Sequence, residues 1–224
     1  MSLEVITSNF QFLIVQGFFG LGSFAGGTLR LAVPAIVLGF LLGIFVGLAR
    51  LAAVPWIRIP ATIYVEFFRG VPLVMVIFWM WFIIPQLLQI PLPEYGVALT
   101  AFVIFEAAYF GEIVRAGVQS VSGGQVEAAR ALGLTGVQSM AYVILPQALR
   151  NMIPALVTQM IVLFKDTSLA SIIGYVDLTK AAQIVNNREI KPFELYLFIA
   201  VVYWVCTYSM SRLARRMERR PSPV

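Results

Sequence analysis

The sequence predicts an all-α integral membrane protein: five transmembrane helices, a short cytoplasmic helix between spans three and four, and an N-terminal helix at the outer surface. Three observations carry this. The 224 residues are 60% hydrophobic and only 12% charged, whereas a soluble domain is about 25% charged. Apolar stretches of crossing length recur along the chain, and about 20 such residues cross a bilayer. One polar stretch, Gln125 to Thr135, stands between long apolar runs with two helix-start patterns in or beside it.

Residues 1–27 hold one acid, Glu4, and no base. A secretory leader needs a basic first region, so none is read here. Phe10, Phe12, Leu13, Ile14, Phe18 and Phe19 alternate with Gln11, Gln16 and glycines, which fits an amphipathic or half-buried helix, with a full span as the alternative. Residues 28–220 form the membrane domain and 221–224 a tail.

The first span, Leu31 to Ala49, is uncharged, and Gly39, Gly43 and Gly47 recur every four residues on one face, so a second helix can approach closely. Arg50, Pro55, Arg58 and Pro60 mark a connector. A second span, Ala61 to Leu88, follows, with Glu66 and Arg69 three apart on one face. Prolines 85, 91 and 93 close it. The third span, Tyr95 to Val114, carries Glu106 near its middle. A charge at that depth faces a bundle interior or a watered cavity and marks either function or a structural pair. Glu112 and Arg115 form an interfacial pair near the end.

The polar loop, residues 122–153, comes next. Ser122 precedes Gln125 by three, and Thr135 precedes Gln138 by three. Both fit a capping box, in which hydroxyl and amide satisfy the free N–H groups of a first turn. Gly133 suits the left-handed stop of the first short helix. That helix presents Ala128, Ala129 and Ala131, which let a partner's backbone come near, with Glu127 and Arg130 on one face and Val126 and Leu132 as apolar contacts. The fourth span, Pro154 to Val176, is broken midway by Lys165-Asp166-Thr167-Ser168. A Lys–Asp pair in a membrane needs partners or water, so it reads as a kink or pathway turn, or as a self-neutralised pair. Asp177 to Lys191 reads as a mixed-charge loop. The last span, Phe193 to Ser211, leads into Arg212, Arg215, Arg216, Arg219 and Arg220.

Charge orients the chain. Arg50, Arg58, Arg115, Arg130, Arg150 and the tail arginines fall on one side, and Arg30, Lys180, Arg188 and Lys191 on the other. The positive-inside rule places the N-terminus outside, the C-terminus in the cytoplasm and the polar loop inside. Net charge is +5, mostly from the tail, and there is no broad basic face for nucleic acid. The absence of histidine removes the commonest general base and metal ligand. No glycine-rich phosphate loop ending in Gly-Lys-Ser/Thr occurs. The single Cys206 lies in an apolar run and has no internal partner.

The spacing Glu127-Ala128-Ala129, three residues, Gly133, nine residues, Val143, any residue, Leu145-Pro146 resembles the signature loop of ABC importer membrane subunits. Thr28 with its glycine-rich helix, Tyr64 to Leu73, Ala107 to Gln119 and Phe164 to Leu169 resemble the polar amino acid branch of that family. Phe105 to Tyr109 and Val71 to Val76 are similar to a membrane subunit of glutamate/aspartate importers. Gly123 stands where members often carry Lys or Arg.

The resemblance implies a permease of the bacterial inner membrane, not itself an enzyme. It implies a second permease subunit, a copy or a paralogue, two ATP-binding cassette ATPases inside, an amino acid-binding protein outside, and membrane lipid around. ATP and Mg²⁺ would bind the partners, with no cofactor in this chain. Gln125, Glu127, Ala128, Ala129, Arg130, Leu132, Gly133 and Leu134 would dock the ATPase. The candidates for the substrate pathway are Glu106, Arg69, Lys165, Asp166, Thr167 and Ser168. Transport of another polar amino acid, or a stand-alone secondary carrier, are the competing readings.

Overall fold

The computed structural model of the protein describes residues 4–21 and 26–218; every described element is helical. Among the described residues, four helices are long and apolar enough to cross a membrane, and five if a bent pair counts as one span.

Helix α1 (Glu4–Ser8) runs into wide π-type turns over Gln11–Phe18. α2 (Thr28–Leu51) is the first span. Its glycine face lies on α6 (Glu94–Gln119): a Cβ on Gly43 would come 2.5 Å from Phe110 Cβ, and one on Gly47 2.6 Å from the Gly111 carbonyl oxygen. The small residues are therefore what lets the two backbones touch. Pro34, inside α2, has no N–H for the Arg30 carbonyl. The Tyr95 hydroxyl of α6 donates to that carbonyl instead, at 3.4 Å.

The second span differs from the single helix expected over 61–88. α3 (Pro55–Gly70) meets the stretch Leu73–Leu88 at 105°; that stretch comprises α4 (Leu73–Phe78), π-type turns (Trp79–Ile83) and α5 (Ile84–Leu88). The cause is local. Pro72 bars its predecessor from helical geometry, and Val71 is extended at φ −110°, ψ 150°.

Beyond α6 lie α7 (Gly123–Ala131) and α8 (Gly136–Ser139), then π-type turns at Met140–Ile144 and the long α9 (Leu145–Asp166). α9 begins nine residues before the expected Pro154, because Pro146 sits in its first turn, where a missing N–H costs nothing. The Lys165 to Ser168 stretch therefore ends α9 instead of breaking it midway, and a 3₁₀ helix continues over Thr167–Ile173.

Residues 177–191, expected as a loop, contain α10 (Leu178–Glu189). Asp177 caps it, accepting from Lys180 N at 2.8 Å. Its carboxylate also accepts from the Tyr203 hydroxyl at 3.3 Å. Burial pushes the Asp177 carboxyl up to about 6, against the pull of the backbone hydrogen bonds from Lys180 and Thr179. α10 packs on the N-terminal π-type turns: Gly17 is so close that a Cβ there would lie 2.7 Å from Ala181 Cβ. Thr28 joins the two, donating to the Gly17 carbonyl at 3.4 Å and accepting from Leu178 N at 3.1 Å. α11 (Pro192–Glu218) is the last span. Of the tail arginines, Arg219 and Arg220 lie outside the described residues, as do residues 221–224.

Candidate functional site

Two places gather the residues singled out in the sequence: a surface arm formed by α7 and α8, and a cavity in the bundle.

The arm stands clear of the bundle. α7 ends as its sequence directs: Gly133 is left-handed at φ +77°, Gly133 N donates to the Arg130 carbonyl at 2.9 Å, and Leu134 N donates to the Ala129 carbonyl at 3.1 Å. This paired closure satisfies the last carbonyls of a helix, and glycine reaches it without a Cβ penalty. The Thr135–Gln138 capping box is formed in both directions, at 2.9 and 3.3 Å. The expected Ser122–Gln125 box is not; Gln125 N bonds the Ser122 carbonyl instead of its hydroxyl. Gln125, Glu127, Ala128 and Arg130 are exposed, and Leu132 is 81% exposed beside an exposed Val137. Leu134 is half-buried. Ala129 points the other way and is buried against its own chain, so it is unavailable to a partner. Glu127 and Arg130 form no salt bridge among the described residues. The outer face of α7 thus combines small side chains, a charged pair and the exposed Leu132.

The cavity, about 450 Å³, lies where α3 breaks from α4, against α6 and α9. Val71, Pro72, Phe105, Tyr109, Gln159 and Asp166 line it. Glu106 is fully buried behind this wall: its Oε2 accepts from Gln159 Nε2 at 2.9 Å, and its Oε1 is buried without a hydrogen-bond partner. Gln159 thus links the buried acid to the cavity. Nothing in the sequence marked it, because an isolated glutamine on a membrane helix carries no charge to notice.

Arg69 does not pair with Glu66. Its guanidinium stands 5.6 Å from the Tyr109 ring centre and 4.0 Å from Glu112. Tyr109 lies within electrostatic reach of Arg69, Glu106 and Asp166 alike. Of the expected pathway residues only Asp166 is in the cavity wall; Glu106 lies behind it, and Arg69 stands outside it, between Tyr109 and Glu112. The other three are elsewhere. Lys165 is exposed and makes no salt bridge among the described residues, though it lies within electrostatic reach of Asp166. The Thr167 hydroxyl is spent on the Phe164 carbonyl at 2.7 Å. Ser168 is half-buried outside the cavity wall.

Below the cavity, Glu112 pairs with Arg115, as expected, and also with Arg50 of α2. One carboxylate thus joins α2 to α6 and draws Arg69 of α3 toward them.

The chain matches one family model, binding-protein-dependent transport system inner membrane component, over residues 39–223. A glutamate/aspartate import permease of Escherichia coli is 44% identical over 200 residues, 86% of this chain and 89% of that protein. A probable glutamine ABC transporter permease of Bacillus subtilis is 40% identical over 196 residues, with the same shares. A crystal structure of an amino acid ABC transporter with histidines superposes with a TM-score of 0.89 at 34% identity, covering 99% of this chain and all of that one. An inward-facing methionine ABC transporter superposes at 0.71 with 19% identity over 94% of this chain, which bears on the fold alone.

Proposed function

The chain belongs to the binding-protein-dependent transport system inner membrane components, and from that premise we propose that it carries a dicarboxylic amino acid, glutamate or aspartate, into the cell as one permease subunit of an ATP-driven importer. The observation that carries the coupling is the exposed α7–α8 arm, whose Glu-Ala-Ala to Leu-Pro spacing falls on a built, left-handed helix stop at Gly133. Glu127, Ala128, Arg130 and Leu132 meet an ATPase subunit, with Gln125 and Leu134 at the margins. ATP and Mg²⁺ sit on two such subunits, and a binding protein delivers the amino acid from outside to a pair of permease chains in the inner membrane.

In the cavity, Asp166 and the Gln159 carbonyl receive the substrate's ammonium group. Glu106 holds the Gln159 amide so that this carbonyl stays free. Arg69, outside the cavity wall beside Tyr109, receives a carboxylate. The identity to a glutamate/aspartate import permease supports the substrate. The nearly equal identity to a probable glutamine permease supports a second reading, the amide as cargo; competition between the two in uptake separates them.

The test of the docking role is Glu127→Lys in the assembled transporter. Charge reversal at the exposed face is expected to lower subunit association and uncouple hydrolysis from uptake by roughly tenfold, the scale of a lost charged contact. Normal association and unchanged uptake per ATP would remove α7 from the interface.

A further inference from the structure

The arm leaves the bundle between α6 and α9, and its two roots are fastened together. Ser120 Oγ donates to the Gly117 carbonyl at 2.7 Å, and Asn151 Nδ2 donates to Ser120 Oγ at 2.8 Å. Next to this bond Gly117 faces Met152 so closely that a Cβ at 117 would lie 2.7 Å from the methionine sulfur. Met152 and Ala148 are buried there. The joint is thus closed by packing on the bundle side and by one side-chain hydrogen bond on the solvent side.

Two features make this joint a weak place that the bond must hold. A pocket of about 300 Å³ opens beside it, between Ile113 and Ala116 of α6 and Ala155 of α9, with Glu112 in its wall. The helices have room to part there. Pro154 lies in α9 three residues past Asn151. It has no N–H for the Arg150 carbonyl, so the helix ladder is interrupted where the root begins, and such a point bends easily. A push on α7 can therefore be lost by bending the α9 root into the pocket, or passed on if the root is tied to α6.

We propose that Asn151 and Ser120 form a clasp that makes α6 and α9 move as one body when the arm is displaced. Asn151 is a positioning residue: it touches neither the cavity nor the partner face. With the clasp closed, motion at the arm reaches Glu106 about 21 Å from Ser120 and Asp166 about 22 Å from Asn151, at 1.5 Å per residue. The two cavity walls then shift together. This inference rests on the reading of α7 as the docking element.

The experiment uses the complete transporter in proteoliposomes and reads amino acid moved per ATP hydrolysed. Asn151→Leu is expected to lower that ratio by about fivefold, the scale of one neutral hydrogen bond, with ATPase binding and the KM for the amino acid unchanged. Ser120→Ala breaks the same bond from the other side and serves if Asn151→Leu does not assemble. Cysteines at both positions, in a Cys206→Ser background, give the converse. Oxidation to a disulfide restores the ratio, and reduction lowers it again. An unchanged ratio in both single variants overturns the clasp, as does a disulfide that stops transport, since the roots would then have to separate. Glu127→Lys distinguishes the premise: if it uncouples while Asn151→Leu does not, the clasp alone has failed.

Discussion

Glu106, a carboxylate in mid-span, stands behind the cavity wall and not in it. A carboxylate in mid-span pointed to a cavity or a partner, and it has both, through Gln159. What the sequence could not show is that the acid stands behind the wall: that depends on Gly39 of α2, which brings the two helices so near that its missing Cβ would lie 3.2 Å from Glu106 Cβ. The buried Oε1 without a partner carries a desolvation cost that a neutral isostere avoids. Glu106→Gln is therefore expected to raise thermal stability in detergent while lowering uptake by roughly tenfold, since the Gln159 amide loses the charge that orients it. The opposite pattern, lower stability with full uptake, would make the Glu106–Gln159 bond a structural pair only. Glu112 is the contrasting case. Its partner at Arg115 was visible three residues away, whereas Arg50, 62 positions distant, is a product of the fold.

At the level of elements, the Gly133 stop and the Thr135 box needed only their own neighbours and formed, whereas the equally local Ser122 box did not. The glycine face of α2 needed α6 to close on it. Two elements depart from their local signals. The apolar run 61–88 reads as one span, yet the pre-proline restriction at Val71-Pro72 turns the chain by 105°. The mixed charges of 177–191 read as a loop, yet Asp177 caps α10 there. That cap also yields a pH dependence. A buried carboxyl raised to about 6 from an ordinary 3.8 favours the protonated folded state. Its contribution to stability is full below about pH 3.9, the unfolded value, and is lost as pH rises through about 6. At about 1.4 kcal/mol per pKa unit, the whole swing is bounded at roughly 3 kcal/mol. Melting temperature is expected to fall from about pH 4 to about pH 6 in the wild type and to fall less in Asp177→Asn, which keeps an acceptor for Lys180 N but does not titrate. Equal slopes in the two proteins, measured by thermal unfolding in detergent, would show that another group sets the dependence.

For the whole molecule, the remaining question is direction. α2 and α6 both run toward the arm, ending at Leu51 and Gln119, and α9 runs away from it. Arg50, Arg115, Arg130 and Arg150 gather at the arm end, and Lys180, Arg188 and Lys191 at the other. Cations near short loops stay on the cytoplasmic side during insertion, so the charge bias predicts the arm inside the cell. The proposed docking of an ATPase requires the same side, because its nucleotide is in the cytoplasm. Leu132 on the arm and Ile190 beyond α10 are exposed to nearly the same degree, 81% and 79%, so they report side and not burial. In a Cys206→Ser background, a cysteine replacing Ile190 is expected to react with a membrane-impermeant maleimide in intact spheroplasts. A cysteine replacing Leu132 should react only after the membrane is opened. The reverse pattern would put the arm beyond the reach of any ATPase, and would mean that the arginines at its base had been translocated against the charge bias that orients the other spans.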